Sequence, residues 1–191
     1  MKGFMELMHE LIDKLESQGD QSGSEGLTVR AKVYAARMRL QHAVDQADAI
    51  DGIREIAANL MGCEELALYK VDHSQAALWL YWSFGIDPNT FAVLDAAKEP
   101  NLTAVLNGSF AFVQPDQAGN LLNINKAVTA MVPIVVSDVV VAVLVLFRLL
   151  AQKASFDAAD QELCRVISGC AGRAIGPSNP ALTTENGHAR E

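Results

Sequence analysis

The apolar positions of this 191-residue chain follow two periods, one helical and one of strands, and the switches between them set its organisation. Phe4, Leu7, Met8, Leu11, Ile12 and Leu15 fall on one helical face, with Glu6, Glu10, Asp13, Lys14 and Glu16 around it. The stretch from Ser17 to Gly26 holds three glycines and three serines with nothing apolar to anchor it, which predicts a flexible linker. A longer helical pattern follows. Val29, Val33, Ala36, Leu40, Ala43, Ala47 and Ile50 are spaced alternately by four and three, the pattern of a heptad seam, with Tyr34 and Met38 on a neighbouring stripe. Asp48 to Gly52 predicts a break and a new cap, and a second helix runs from Gly52 to Met61 until Gly62 stops it.

The period then shortens. Leu66, Leu68 and Val71 lead through the polar turn Asp72–Gln75 into Ala77–Phe84, which predicts a hairpin. Asp87-Pro88 reads as a helix start, with helix to Lys98, and Asn101 to Leu106 as another short helix stopped by Asn107-Gly108. Phe110–Val113 predicts a third strand, and Gln117 to Lys126 a polar loop. The run from Ala127 to Leu150 is long enough to cross a bilayer, but Pro133, Ser137, Asp138 and Arg148 interrupt it. Its valines favour strands, so Val128–Val135 and Val139–Leu146 are expected to pair about a turn at Ser137-Asp138. Ser155 or Asp157 caps a last helix whose stripe is Leu163, Val166, Ile167, Cys170, Ala171, Ala174 and Ile175, ended by Gly176-Pro177. The domain plan is therefore an amphipathic helix over 1–17, a linker over 18–26, one folded domain over 27–176, and a polar tail over 177–191 expected to be disordered.

Composition narrows the functional classes. Half the residues are hydrophobic and the net charge is −8, a globular balance with no clustered Lys and Arg for a phosphate backbone. No nucleic-acid or membrane partner is expected. Cys63, Cys164 and Cys170 form no short-spaced motif, and His9, His42, His73 and His188 are scattered, so neither a metal nor a redox pair is expected. The start of the chain lacks a secretory h-region, which points to the cytoplasm, with free thiols.

The order of helix, hairpin, short helices, strand, polar loop, strong hairpin and closing helix resembles the GAF domain family over about Asp48 to Ile175. The resemblance rests on Asn101–Asp116, on Thr129–Leu146 with its central proline, and on Phe156–Ile175 with Phe and Asp ahead of the apolar stripe. It implies an α+β fold: an antiparallel sheet of five or six strands, the N- and C-terminal helices on one face, and a small-molecule pocket on the other. PAS domains, which lack that pair of helices, are the minor alternative. Around the implied pocket, Tyr81, Trp82, Phe84, Phe91 and Phe112 offer aromatic faces, and Asn123, Asn125, Lys126 and Thr129 offer polar groups; packing alone also explains the aromatics. Asn125-Lys126 followed by Phe156-x-x-x-Asp160-Gln161 is similar to the signature of cyclic-nucleotide-binding members, lacks its final acid, and implies that Lys126 pairs with Asp160. No cysteine matches the placement of bilin attachment or of free-methionine-sulfoxide reductases, so catalysis is not expected and no cofactor is assigned. The functional reading is a stand-alone sensory or regulatory module signalling through dimer helices to a partner protein, with a cyclic nucleotide as one ligand type. The alternatives are a ligand-free interaction or dimerisation module and, more distantly, a free-methionine-sulfoxide reductase-like enzyme. The seam residues Val29, Val33, Ala36, Leu40, Ala43 and Ala47 are the expected homodimer interface.

Overall fold

The computed structural model describes residues 6, 9–10, 24–74, 76–113, 120–153 and 155–176. The expected N-terminal helix (apart from the helical Glu6, His9 and Glu10), residues 18–23 of the linker and the tail over 177–191 lie outside them. The long helical pattern forms two helices, α1 (Ser24–Gln41) and α2 (Gln46–Glu55), and residues 24–26 belong to the first turn of α1 rather than to the linker. The break falls at Asp45, earlier than the sequence predicts. Asp45 accepts a hydrogen bond from the Asp48 backbone N–H at 2.8 Å and caps α2, while Asp48 accepts from the Val44 N–H at 3.0 Å and closes the corner. Arg39 pins that corner, 2.8 Å from both Asp48 and Glu55. A turn of π-helix, Ile56–Leu60, continues α2 and ends at Gly62, whose φ of +66° favours glycine.

Six strands follow: β1 (Cys63–Asp72), β2 (Ala77–Phe84), β3 (Val93–Asp95), β4 (Ala111–Phe112), β5 (Ala130–Val136) and β6 (Val139–Leu149). They form one sheet in the order β3-β2-β1-β6-β5-β4, antiparallel at every pairing. The valine-rich tract folds back where expected: Val136 pairs with Val139, and Ser137 and Asp138 turn the chain with φ of 47° and 64°. Two successive left-handed residues make the tight hairpin turn that matches the twist of the strands. The 127–150 stretch is thus a sheet hairpin, and among the described residues no helix is long and apolar enough to cross a membrane.

The helix expected over Pro88–Lys98 does not form. Asp87 caps only a turn, accepting from the Asn89 N–H at 2.9 Å, and Val93–Asp95 instead adds a short strand to β2. Pairing buries Leu94 against the sheet, and that tertiary gain outweighs local helix signals. A 3-10 turn, Ala96–Lys98, leads into α3 (Pro100–Leu106), which has Pro100 in its first turn.

The three central strands are buried on both faces because their alternate residues enter two separate cores. Leu66, Leu68, Ala130, Val132, Ile134, Ala142, Leu144 and Leu146 meet the helices. Ala67, Tyr69, Met131, Val143, Val145 and Phe147 meet α3 and the loops on the other side. The helical layer is completed by α4 (Ala158–Cys170) and α5 (Gly172–Ile175). Asp157 and Asp160 form a reciprocal capping box at the start of α4. At its end the chain approaches β5 so closely that a Cβ on Gly172 would lie 2.4 Å from the Val135 carbonyl oxygen. Ala36, Leu40 and Ile50 of the heptad seam belong to the helix-side core, with Leu40 only 3% exposed. A heptad stripe records an apolar face, whether its partner is a second helix or the chain's own sheet, and here most of it is the latter.

Two outcomes follow. Leu40→Ala lowers the unfolding free energy by about 2–5 kcal/mol in denaturant titration, the cost of a core cavity, and Leu40→Glu prevents folding rather than splitting a dimer. Replacing Ser137-Asp138 by Asn-Gly raises the unfolding free energy by about 1 kcal/mol, because the left-handed turn then costs less.

Candidate functional site

The face opposite the helices is where the family resemblance places a pocket. Tyr69, Leu78, Leu102, Leu122, Met131 and Phe147 pack together there. Phe91 stacks on Phe147 with centroids 5.8 Å apart, and its carbonyl accepts the Tyr69 hydroxyl at 3.0 Å. Burial pushes the Tyr69 phenol well above its ordinary range.

A loop over residues 120–129 covers this core, and its polar groups fold the loop itself. Asn120 accepts from the Val128 N–H at 2.8 Å and donates to the carbonyls of Lys126 at 2.7 Å and Ile124 at 3.2 Å. Glu99, 6% exposed, accepts the Asn123 N–H with both carboxylate oxygens at 2.9 and 3.0 Å. Asn101 donates to the Leu121 carbonyl at 2.9 Å. Lys126 reaches back to the sheet, 2.5 Å from the buried carboxylate of Glu65 and 5.8 Å above the Phe147 ring, and Arg148 bonds both Glu64 and Glu65. The ammonium of Lys126 is therefore already neutralised.

The expected pocket residues divide between the two faces. Phe91, Asn123 and Lys126 lie on the loop side, and Asn125 is exposed on the same loop. Thr129 closes the sheet edge, its hydroxyl donating to the Phe147 carbonyl at 2.5 Å and its carbonyl accepting the Val113 N–H. Tyr81, Trp82, Phe84 and Phe112 face the helices instead. Tyr81 donates to Gln46 of α2 at 2.7 Å, Phe84 lies 6.0 Å from the Arg54 guanidinium, Trp82 packs on the helix-side core, and Phe112 meets Phe156 edge-on. For Trp82 and Phe84 the cause is a bulge in β2. Leu68 pairs with Trp82 and Tyr69 with Leu80, so one extra residue shifts every later side chain to the other face.

The expected pairing of Lys126 with Asp160 is not formed. Lys153, three residues ahead of Phe156, takes that place at 2.6 Å. Burial pushes the Asp160 carboxyl above the usual carboxylate range, against the opposing pull of Lys153 and of the Asp157 N–H. Two thiols share this region. Burial pushes Cys63 up to about 12 and Cys164 higher still, with the Asp160 charge adding to both. Cys164 is thus the deeply buried thiol of α4, and Cys170, expected on the buried stripe, is half-buried. It borders a groove of about 430 Å³ at the α1–α2 corner, with Val44, Gln46 and Arg173. Of the remaining seam residues, Val33 and Ala43 pack partly on the core, Val29 is half-buried and Ala47 is exposed.

Asn120, Glu99, Glu65 and Lys153 were not singled out by sequence. Lys153 lies close enough before the Phe156-Asp157 cap to have been a second candidate partner for Asp160, whereas the reach of Lys126 to β1 depends on the sheet order alone.

No family model matches the sequence, and no curated protein is similar to it. Solved structures are similar in fold. The GAF domain of a phosphoenolpyruvate-protein phosphotransferase from Acinetobacter is 17% identical, covering 78% of this chain and 96% of its own, with a TM-score of 0.55. A GAF domain/HD domain protein from Geobacter sulfurreducens is 20% identical, covering 74% and 98%, with a TM-score of 0.56. A free methionine-R-sulfoxide reductase from Neisseria meningitidis is 17% identical, covering 75% and 88%, with a TM-score of 0.55. With its six antiparallel strands, its helical layer on one face and its loop-covered core on the other, this chain has a GAF-like fold.

Proposed function

We propose that this GAF-like domain is a regulatory module that works by protein association through its helical layer, without a cyclic-nucleotide ligand and without catalysis. One observation carries the reading: the loop-side face is closed by the chain's own groups, with Lys126 held by Glu65 at 2.5 Å and Glu99 held by Asn123. Lys126 is the lysine on that loop, and giving it up to a cyclic phosphate would leave the buried Glu65 carboxylate facing only Arg148. Burial keeps Cys63 and Cys164 in their unreactive protonated form. That weighs against a reductase-like role.

A sensory reading is the second choice, favoured by the Phe91–Phe147 stack under the 120–129 loop. A flat, uncharged ligand would enter by displacing Phe91, and would act only to the extent that it binds one arrangement of the helices more tightly than another. For the homodimer, Ala36 and Leu40 are spent on the chain's own core. The association surface we propose is the α1–α2 corner, where Val44 is 86% exposed beside Ala43 and Ala47.

In a thermal-shift assay, cyclic AMP and cyclic GMP leave the midpoint unchanged, whereas a ligand at a hundred times its Kd would add about 2.7 kcal/mol. A clear stabilisation, or a haem or bilin retained in native mass spectrometry, returns the sensory reading to first place. In light scattering, Val44→Glu reduces a dimer mass to that of one chain, while circular dichroism shows the variant still folded. A wild-type monomer, or a dimer indifferent to this change, removes the corner as a self-association surface.

A further inference from the structure

We infer that the helix-side face of β2 is a docking strip for an amphipathic helix of a partner protein, one with acidic residues beside its apolar face. The inference rests on the reading that this domain works by protein association, and it names a surface other than the Val44 corner. The first observation is a row of aromatics. Leu78 and Leu80 turn to the loop-side core, so Trp79 between them turns to the helix side. Its ladder partners, Lys70 on β1 and Val93 on β3, share that face. Tyr81 is the extra residue of the bulge, and its hydroxyl reaches α2; the residues after it stay on the same face, which adds Trp82 and Phe84 to the row. The helices leave much of it open: Trp79, Tyr81 and Phe84 are 48, 43 and 38% exposed, and Val93 is 44% exposed. Large aromatics exposed side by side on one strand face mark an interaction site rather than scattered surface residues.

The second observation is the shape and charge of the strip. α2 runs along one side, with Gln46 accepting from the Tyr81 hydroxyl at 2.7 Å and the Arg54 guanidinium 6.0 Å from the Phe84 ring. β3 forms the other margin. Two strands spaced about 4.8 Å apart leave room for one helix, about 10 Å across, in the layer that α2 already occupies. From Trp79 to Phe84 is about 16 Å, the length of about three helical turns. A cation stands toward each end. The Lys70 ammonium lies 4.0 Å above the Tyr81 ring and meets no carboxylate among the described residues. Arg54 meets Asp51 of its own helix at 3.5 Å, an exposed pair worth little. The acids beyond Trp79 are engaged, Asp95 with Lys98 at 3.1 Å and Asp72 with the Ser74 N–H and hydroxyl. On a chain whose net charge is −8, this strip therefore asks for carboxylates. A second copy does not supply them. In a two-fold contact the strip meets itself, and with cations toward both ends either alignment sets cation against cation.

The experiment presents the full chain to a displayed library of amphipathic helical peptides whose positions beside the apolar stripe are randomised, and measures the selected peptides by fluorescence anisotropy. The expected peptides carry Asp or Glu beside the stripe. Their affinity falls about tenfold or more on Trp79→Ala and on Lys70→Glu, while circular dichroism shows both variants folded. Lys70→Glu also shifts the preference toward peptides with Lys at those positions. A library that yields no binder, selected peptides without an acidic bias, or affinities that both variants leave unchanged overturn the inference. So does a single-stranded oligonucleotide that displaces the peptides from the strip. Lys70→Glu, a change at a half-buried surface side chain, carries the test if Trp79→Ala does not fold. Val44→Glu leaves the peptide affinities unchanged, so the strip and the corner are told apart. Stabilisation by a cyclic nucleotide would count against the functional reading and leave these affinities where they are.

Discussion

The structure depends on the dryness of both faces of β1, β6 and β5. Strands that are wet on one side alternate apolar and polar residues; these three place apolar side chains on either side of the sheet, and so need a cover above and below. The helical layer of α1, α2 and α4 is one cover, and α3 with the loops is the other. Each cover has its own anchors. Lys153–Asp160 and the Asp157 cap fasten the start of α4, Arg39 fastens the α1–α2 corner, and Lys126–Glu65 with Asn120 and Glu99 fastens the loop over residues 120–129. Lys126–Glu65 and Glu99–Asn123 join segments distant in sequence, while Arg39, Lys153 and Asp157 fix the ends of helices to their neighbours, so the polar groups hold the covers where apolar packing alone would let them slide.

The features that local chemistry determines were legible in the sequence. The turn at Ser137-Asp138, the cap at Asp157, the stop at Gly62 and the helix ahead of Gly108 each depend on a few adjacent residues. What escaped depends on register or on a distant partner. The stretch after Asp87-Pro88 has good helix signals, yet β2 offers Val93–Asp95 an edge. The heptad seam announces an apolar face without saying what covers it. The bulge between Leu68 and Tyr69 is silent in the sequence, and it alone decides that Trp82 and Phe84 face the helices rather than the loop side.

The charged residues teach the same lesson. Lys126 and Asp160 suited each other as a motif, but the sheet order puts β1 and β6, not α4, within reach of Lys126. Lys153, on the connection just before α4, is the nearer cation for Asp160. The buried carboxylates of Glu65 and Asp160 thus each acquire a lysine, and neither lysine is left over for an anionic guest.

The close approach at Gly172 couples the two layers. With no side chain on Gly172, the end of the helical layer rests on the backbone of β5 at Val135 and on the Val136 side chain, beside the hairpin turn. A lever mounted directly on its axle transmits rotation without play. Any displacement of the last helix must drag the tip of the β5–β6 hairpin with it, so movement at the chain's closing helix and distortion at the sheet's far turn are one mechanical event.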